Sequence, residues 1–487
     1  MKKKDWLKFK SYTHVTPKIN PRKSNWIREY VRDIPKIESH RFFPMIHYTI
    51  LENRYRRKRI DGIKDKERTP KAKKREIYYS NHLDGHIYAY YAKQLNELLD
   101  LKYDTDSDLS NSVIAYRRIP YNKNRNKNNI DFANEVFSYI KESRDNKLTA
   151  ICMDVSSYFD SIDHSILKKL WAQILNRFDL PKDHFKVFKS ITKYSYIEIG
   201  DIFNLSPNYR DNKLINLRHK SIDGFFDSGE KFRKAIENQK VIKVNRKSFG
   251  IPQGSPISAT LSNLYLYEFD KLMNKLAKLY NGFYRRYSDD IVFVCDPKWI
   301  AKINGTVKQF LTTDLKLTIQ DEKTQWVDFV RNSPNDEWQT TLNEKGIKYL
   351  NRPLTYLGFD FDGKKIRIKQ KSISSYYRKL KRNIRRSAFF AKKIKEAHAE
   401  GRLLNRDAWI YRTKIYKLKT HLGSRKKTID NKIYWGNFLS YAYNASRIMN
   451  EPGIKKQLRN HWRIVESEID RFNQKYKLMK STSDNNR

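Results

Sequence analysis

Apolar side chains recur at helical spacing through residues 81–101 (NHLDGHIYAYYAKQLNELLDL) and 130–145 (IDFANEVFSYIKESRD), so both stretches predict helices. The period then changes. LTAICMDVSSYF (148–159) opens as a short unbroken apolar run, the pattern of a buried strand, and YSDDIVFVCD (287–296) is a second such run behind a pair of acids. FGIPQGSPISATLSNLYLYEFDKLMNKLAKLY (249–280) starts as a Pro/Gly turn and continues as one long helix. Residues 200–246 carry scattered polar positions and read as an insertion. Beyond about residue 370 helical spacing takes over, in 372–400, 406–423, 431–450 and 454–479. Residues 54–75 (RYRRKRIDGIKDKERTPKAKKR) predict a basic loop or hairpin, either solvated or facing phosphates, and NKNRNKNN (122–129) a polar loop. No internal repeat is visible.

Composition narrows the function. At about 150 residues per domain, 487 residues suggest roughly three domains. Apolar content is low at 39%, but 14% aromatic residues argue against a disordered chain. One hundred Lys and Arg against 54 Asp and Glu leave a net charge of +46, too basic for an ordinary metabolic enzyme. Such a surface suits nucleic acid or an anionic membrane. No apolar run approaches the ~20 residues of a membrane span, so no membrane partner is expected. Aromatic residues interleaved with basic ones suit base stacking. Residues 371–487 alone carry 30 basic and 9 acidic side chains. Two cysteines, Cys152 and Cys295, make neither a disulfide framework nor a zinc site, and MKKKDWLKFKSY is no secretory signal, so a cytoplasmic location is expected.

Three acids stand out. Asp154 ends one strand-like run, and Asp289 and Asp290 precede another. Acids entering buried strands are costly unless a cation or partner neutralises them. Converging carboxylates suit two Mg²⁺ ions in phosphoryl transfer. An isolated Asp-Asp pair is more often a cap or turn, but here five segments fall in order: CMDVSSYFDSIDH (152–164), FGIPQGSPISATLSNLYL (249–266), YRRYSDDIVF (284–293), LTIQDEKT (317–324) and TYLGF (355–359). This series resembles the palm of reverse transcriptases. The Tyr-x-Asp-Asp box falls on Tyr287, Ser288, Asp289 and Asp290, and the Pro-Gln-Gly box on Pro252, Gln253 and Gly254.

The resemblance implies an α+β right-hand polymerase. Residues 1–147 would be an N-terminal extension and fingers, and 148–365 a palm with an antiparallel sheet and an insertion at 200–246. Residues 366–487 would be a helical thumb with a basic α-helical C-terminal extension. It implies two Mg²⁺ ions, with Mn²⁺ as a substitute, on Asp154, Asp289, Asp290 and the backbone carbonyl of Val155. Asp160 and Asp163 are read as helix caps. Phe159 occupies the place of the steric gate that excludes a ribose 2′-hydroxyl, or else is ordinary core. Gln253 and Gly254 would meet the incoming nucleotide and template base, and Lys323 the pyrophosphate, where it could act as a general acid. Tyr356, Leu357, Gly358 and Phe359 match the primer grip.

The fingers depart from intron and retron patterns. KKREIYYSNHLDGHIYAYYA (73–92), followed by VIAYRRIPYNKN (113–124), is more similar to bacterial antiphage-defence reverse transcriptases of the abortive-infection and "unknown group" kinds. Arg75 is the candidate triphosphate clamp and Arg117 a second one. Arg382, Arg385 and Arg386, with Arg425, Lys426 and Lys427, are candidate contacts to nucleic acid. The expected partners are an RNA template of non-coding type, a DNA product, dNTPs, and an additional copy or second polymerase subunit. Three rivals stay open: a maturase-like RNA-binding protein, an RNA-dependent RNA polymerase, which Phe159 opposes, and template-independent or protein-primed DNA synthesis on the same palm.

Overall fold

The computed structural model describes residues 5–478, except 61–62, 207–220 (of which Tyr209, Leu214 and Leu217 are described), 321–323, 345, 403–406 and 421–436; for 52–73 and 413–414 the backbone alone is described. The chain forms two compact units, each discontinuous. The first takes in Met1–Ile119, Met153–Val292 and Trp299–Thr324, the second Pro120–Cys152, Phe293–Lys298 and Gln325–Arg487.

In the first unit, the basic stretch is a long antiparallel ribbon of β1 (Met45–Ile60) and β2 (Ile63–Tyr79). At its base β1 pairs in parallel with residues 195–198. There Ile46 and Ile197 join a core with Val15, Ile202, Phe225 and Phe232. The imidazole of His47 sits between two carboxylates, Nε2 at 2.8 Å from Glu76 and Nδ1 at 2.6 Å from Glu198, which ties the ribbon to its neighbour strand. Helix α1 (His82–Tyr103) follows, its buried positions Ile87, Tyr91, Leu95 and Leu99 falling at helical spacing.

The segment 249–280 is two helices where the sequence predicts one: α2 (Ser258–Tyr265) and α3 (Tyr267–Leu279). The break has a tertiary cause. The Tyr158 hydroxyl donates to the Ser262 carbonyl (2.5 Å) and the Tyr103 hydroxyl to that of Asn263 (3.4 Å). In an unbroken helix these carbonyls would accept from residues 266 and 267. Burial keeps both phenols protonated, so both act as donors.

In the second unit, the end of strand β3 (Lys147–Asp154) that belongs to it pairs antiparallel with Gln325–Val330, followed by Gln339–Glu344 and Ile347–Leu350. Leu148 opposite Phe329 and Ala150 opposite Val327 form its inner face. The C-terminal region is helical: Gln370–Ala399, Arg412–Lys419, Phe438–Ile448 and His461–Tyr476. The first, 30 residues long, buries Ile373, Tyr376, Leu380, Ile384, Ala388 and Ala391 along one stripe. The last packs Val465, Ile469 and Phe472 against that stripe. Neither cysteine forms a disulfide. Among the described residues, no helix is long and apolar enough to cross a membrane.

Candidate active site

The Tyr-x-Asp-Asp box forms the turn between β4 (Phe283–Tyr287) and β5 (Asp290–Cys295). Alternation along β4 sends Tyr284 and Arg286 inward, and Arg286 is fully buried. A buried guanidinium is tolerable only when its charge and donors are matched. Asp270 of α3 takes it side-on, at 2.7 Å from Nε and 2.6 Å from Nη2, and the Tyr284 hydroxyl donates to the same carboxylate at 2.7 Å. Burial works against the Arg286 charge and Asp270 more than offsets it, so the guanidinium stays charged. Its remaining arm reaches Asn263 Oδ1 at 3.2 Å and the Ser288 carbonyl at 3.0 Å.

Ser288 is a non-glycine residue at φ +60°, nearly buried at 4% exposure. That conformation is strained and persists only where the surroundings hold it. Arg286 holds its carbonyl and the Tyr116 hydroxyl lies 3.2 Å from its Oγ.

The turn delivers Asp289 to Asp154. The Val155 N–H reaches the Asp289 carbonyl at 3.4 Å, while the Asp154 carbonyl and Ser156 N–H bond across to residues 320 and 318, at 2.8 Å each. Because those flanking groups serve the 318–320 side, the Val155 N–H and carbonyl both point toward the hairpin. Burial, and then the charge of Asp154, raise the Asp289 carboxyl above its ordinary range. Asp290, next along β5, is exposed. The structure thus brings Asp154 and Asp289 together, with Asp290 adjacent in the chain. Among the described residues, no group of three His, Cys, Asp or Glu side chains forms a closed cluster. Two neighbouring carboxylates offer the oxygen donors that a hard divalent cation takes.

Phe159 is half-buried, and its carbonyl accepts from Ile251 N–H at 2.9 Å. Gly250 N–H bonds the Ile162 carbonyl (2.8 Å), and His164 Nε2 lies 2.8 Å from the Gly250 carbonyl. These bonds staple the Pro-Gln-Gly loop to the segment after Asp154. Asp163 caps the helix His164–Ile174, as expected, while Asp160 lies within the short helix Tyr158–Ser161. The Gln253 carbonyl accepts from Tyr78 N–H at 3.0 Å. Gly254 has φ +120°, and a Cβ there would stand 2.7 Å from the Tyr78 carbonyl, so this approach requires glycine. Arg75 is exposed on β2, opposite Ile50.

Arg117 is spent on structure: it pairs with Asp100 at 2.8 Å, bonds the carbonyls of Ser110 and Val113, and stacks over Tyr103. Lys323, Arg425, Lys426 and Lys427 lie outside the described residues. In the second unit, Tyr356 and Phe359 are buried, flanking a two-residue turn of Leu357 (φ +43°) and Gly358 (φ +90°), so the turn itself is the accessible part. Arg382, Arg385 and Arg386 are exposed on the 30-residue helix. Sequence reasoning passed over Arg286, Asp270 and Tyr116; alternation in FYRRY signals only that one of Arg285 and Arg286 turns inward.

A reverse transcriptase (RNA-dependent DNA polymerase) family model matches residues 87–361, more than half of the chain. Among solved structures, apo telomerase from Candida tropicalis, truncated of its C-terminal domain, is similar at 14% identity and TM-score 0.38, covering 70% of this chain and 57% of that one. Candida albicans telomerase with a fragment of telomeric RNA gives 10% identity and TM-score 0.36, covering 96% and 71%. The chain thus spans little more than half the length of the truncated telomerase. No curated protein matches the chain.

Removing the buried cation should expose its role. Arg286→Met leaves the Asp270 carboxylate buried and unpaired, and should cost about 3–5 kcal/mol. A urea titration reads this as a lower midpoint. The double variant Arg286→Met/Asp270→Leu should recover most of that loss, because no orphan charge remains. An unchanged midpoint in the single variant would show that the pair is not what holds the turn.

Proposed function

The chain belongs to the reverse transcriptase (RNA-dependent DNA polymerase) family, and on that premise we propose that it copies an RNA template into DNA, transferring deoxynucleotides to a 3′-hydroxyl. The family match carries the nucleotidyltransferase domain with it. The observation that supports the active-site assignment best is the approach of Asp154 and Asp289, two carboxylates held together against their own repulsion. Asp154, Asp289, Asp290 and the Val155 carbonyl would hold two Mg²⁺ ions, or Mn²⁺. When bound, these would lower the pKa of the attacking hydroxyl and neutralise the leaving pyrophosphate.

The chain's own residues do the positioning. The Arg286 cluster fixes the turn so that Asp289 need not reorganise. Gln253 and the open backbone of Gly254, in the loop stapled at Ile251 to the Phe159 carbonyl, would meet the incoming nucleotide, and the Phe159 ring would exclude a 2′-hydroxyl by overlap. Arg75 would clamp the triphosphate, and the turn at Leu357 and Gly358 would meet the primer. Residues 148–365 serve as palm, with the helices beyond 366 as thumb and extension. A role in bacterial antiviral defence, with a non-coding RNA in a cytoplasmic setting, is supported by the fingers motifs 73–92 and 113–124.

Asp289→Asn should reduce dNTP incorporation by at least ~10³-fold, since the metal clamp supplies several kcal/mol of barrier reduction. Its stability in chelator should hold or rise. The sign follows from the raised carboxyl: Asp289 keeps its proton to higher pH folded than unfolded, so ionising it costs stability as pH rises, and neutral Asn escapes that cost. Normal incorporation by this variant would overturn the assignment.

Phe159→Ala should lower the ratio of kcat/KM for dNTP over rNTP, since the ring that overlaps the 2′-hydroxyl is gone. An unchanged ratio would make Phe159 ordinary core.

Charge reversal of Arg382, Arg385 and Arg386 should weaken RNA binding. It should also flatten the log K against log salt plot by roughly 0.7 per lost phosphate contact. Chemistry at saturating template should persist. Unchanged affinity and slope would mean a merely solvated basic face.

A further inference from the structure

Within the first unit, a cleft of about 820 Å³ opens between the N-terminal segment, α1 and residues 116–118. The N-terminal segment is pinned there by its apolar members. Leu7 is buried, the Trp6 ring lies 5.4 Å from that of Tyr90, and Phe9 packs edge-on to His86. Lys8 and Lys10 alternate with these anchors and are left lining the cleft.

The charge balance of the walls is lopsided, at seven Lys and Arg against three acids. Every acid is already engaged: Asp5 pairs with Arg28, Glu97 with Lys93 and Asp100 with Arg117. Lys8, Lys10, Arg32 and Arg118 make no ion pair to a described carboxylate. Burial of the Lys10 ammonium, and then the charge of Lys8, hold it below its ordinary range. The histidines add no charge at neutral pH, since burial holds His86 at about 4 and also lowers His82. The exposed aromatic surface of the cleft is the half-exposed ring of Tyr116. Cations over a concave floor with aromatic walls suit phosphate and base together. The volume falls in the range of a small-molecule site, and is too small for a duplex.

We infer that this cleft is a nucleotide-phosphate site separate from the paired carboxylates, taking the triphosphate of a free nucleotide or the 5′-triphosphate end of a strand. Its place gives it a route to the chemistry. Tyr116 lines the cleft and its hydroxyl lies 3.2 Å from Ser288 Oγ in the strained turn that carries Asp289. Pro256, two residues past Gly254, lines it too. A ligand here would bear on the turn without touching the metal ligands.

The test is equilibrium binding to the full chain in chelator, which silences metal-dependent nucleotide binding at the carboxylates. The probes are fluorescent ATP and one RNA oligonucleotide made with a 5′-triphosphate or a 5′-hydroxyl. The variants are Lys8→Glu/Lys10→Glu, Arg118→Glu, Arg118→Lys and Asp289→Asn. ATP affinity should fall by about 10-fold or more in both charge reversals, the size of a lost charge-assisted hydrogen bond. It should persist in Arg118→Lys and Asp289→Asn. Displacement of ATP by the 5′-triphosphate RNA and not by the 5′-hydroxyl RNA would identify a strand end; displacement by neither would identify the free nucleotide. Equal displacement by both RNAs would mean a general backbone groove and overturn the proposal. So would ATP binding untouched by the charge reversals, or abolished by Asp289→Asn. Catalytic loss in Asp289→Asn tests the polymerase reading separately, so the two can fail independently.

Discussion

The candidate site rests on one buried charge. Arg286 sits out of water beneath the turn of the β4–β5 hairpin, and an ion so placed costs several kcal/mol unless its whole fork is answered. It is answered by Asp270, Asn263 and the Ser288 carbonyl. Because the guanidinium is planar and rigid, satisfying it fixes three pieces of chain at once: the end of α2, the first turns of α3, and the turn itself. A lysine, with one point charge, would leave the side-on geometry unmet. The break between α2 and α3 belongs to the same arrangement, since Tyr103 and Tyr158 donate to the Asn263 and Ser262 carbonyls there while the Asn263 side chain faces Arg286.

That firm underside supports an unfavourable upper side. Ser288 is held in a left-handed conformation and Asp289 is pressed toward Asp154. Neither would persist in a loose turn. The strain and the repulsion are balanced by the matched cluster below. The fold is stable beneath the turn and strained above it.

Much of this was legible in the sequence, and the rest was hidden for definite reasons. The three acids, the Pro-Gln-Gly turn and the 3.6-residue stripe from Ile373 to Ala391 are local patterns, and local patterns read directly. Arg286 was not legible because Arg285 stands beside it; alternation says that one of the two turns inward but not which. Asp270, within YEFDKLMNKL, looks like any polar position on an amphipathic helix. The helix break depends on hydroxyls about 100 or more residues distant in sequence, so no window around Leu266 reveals it. Arg117 shows the converse. A basic residue in a basic run looks free for phosphate, yet it is consumed by Asp100 and two carbonyls.

The ribbon and the Pro-Gln-Gly loop meet through their backbones. Tyr78 donates its N–H to the Gln253 carbonyl, and its own carbonyl stands where a Gly254 Cβ would be. An ideal Cβ at Gly254 would also lie 3.6 Å from Ile77 Cγ2, so the face of β2 that carries Ile77 is turned to the loop. Side chains alternate along a strand, so Arg75 leaves on that same face one pleat away, while Lys74 leaves on the other. Substituting Gly254 would disturb this relation even with every basic side chain retained, because the distance from Arg75 to the loop is set by two backbones in contact. The pleat thus puts Arg75 on the face that meets the loop and turns Lys74 away from it.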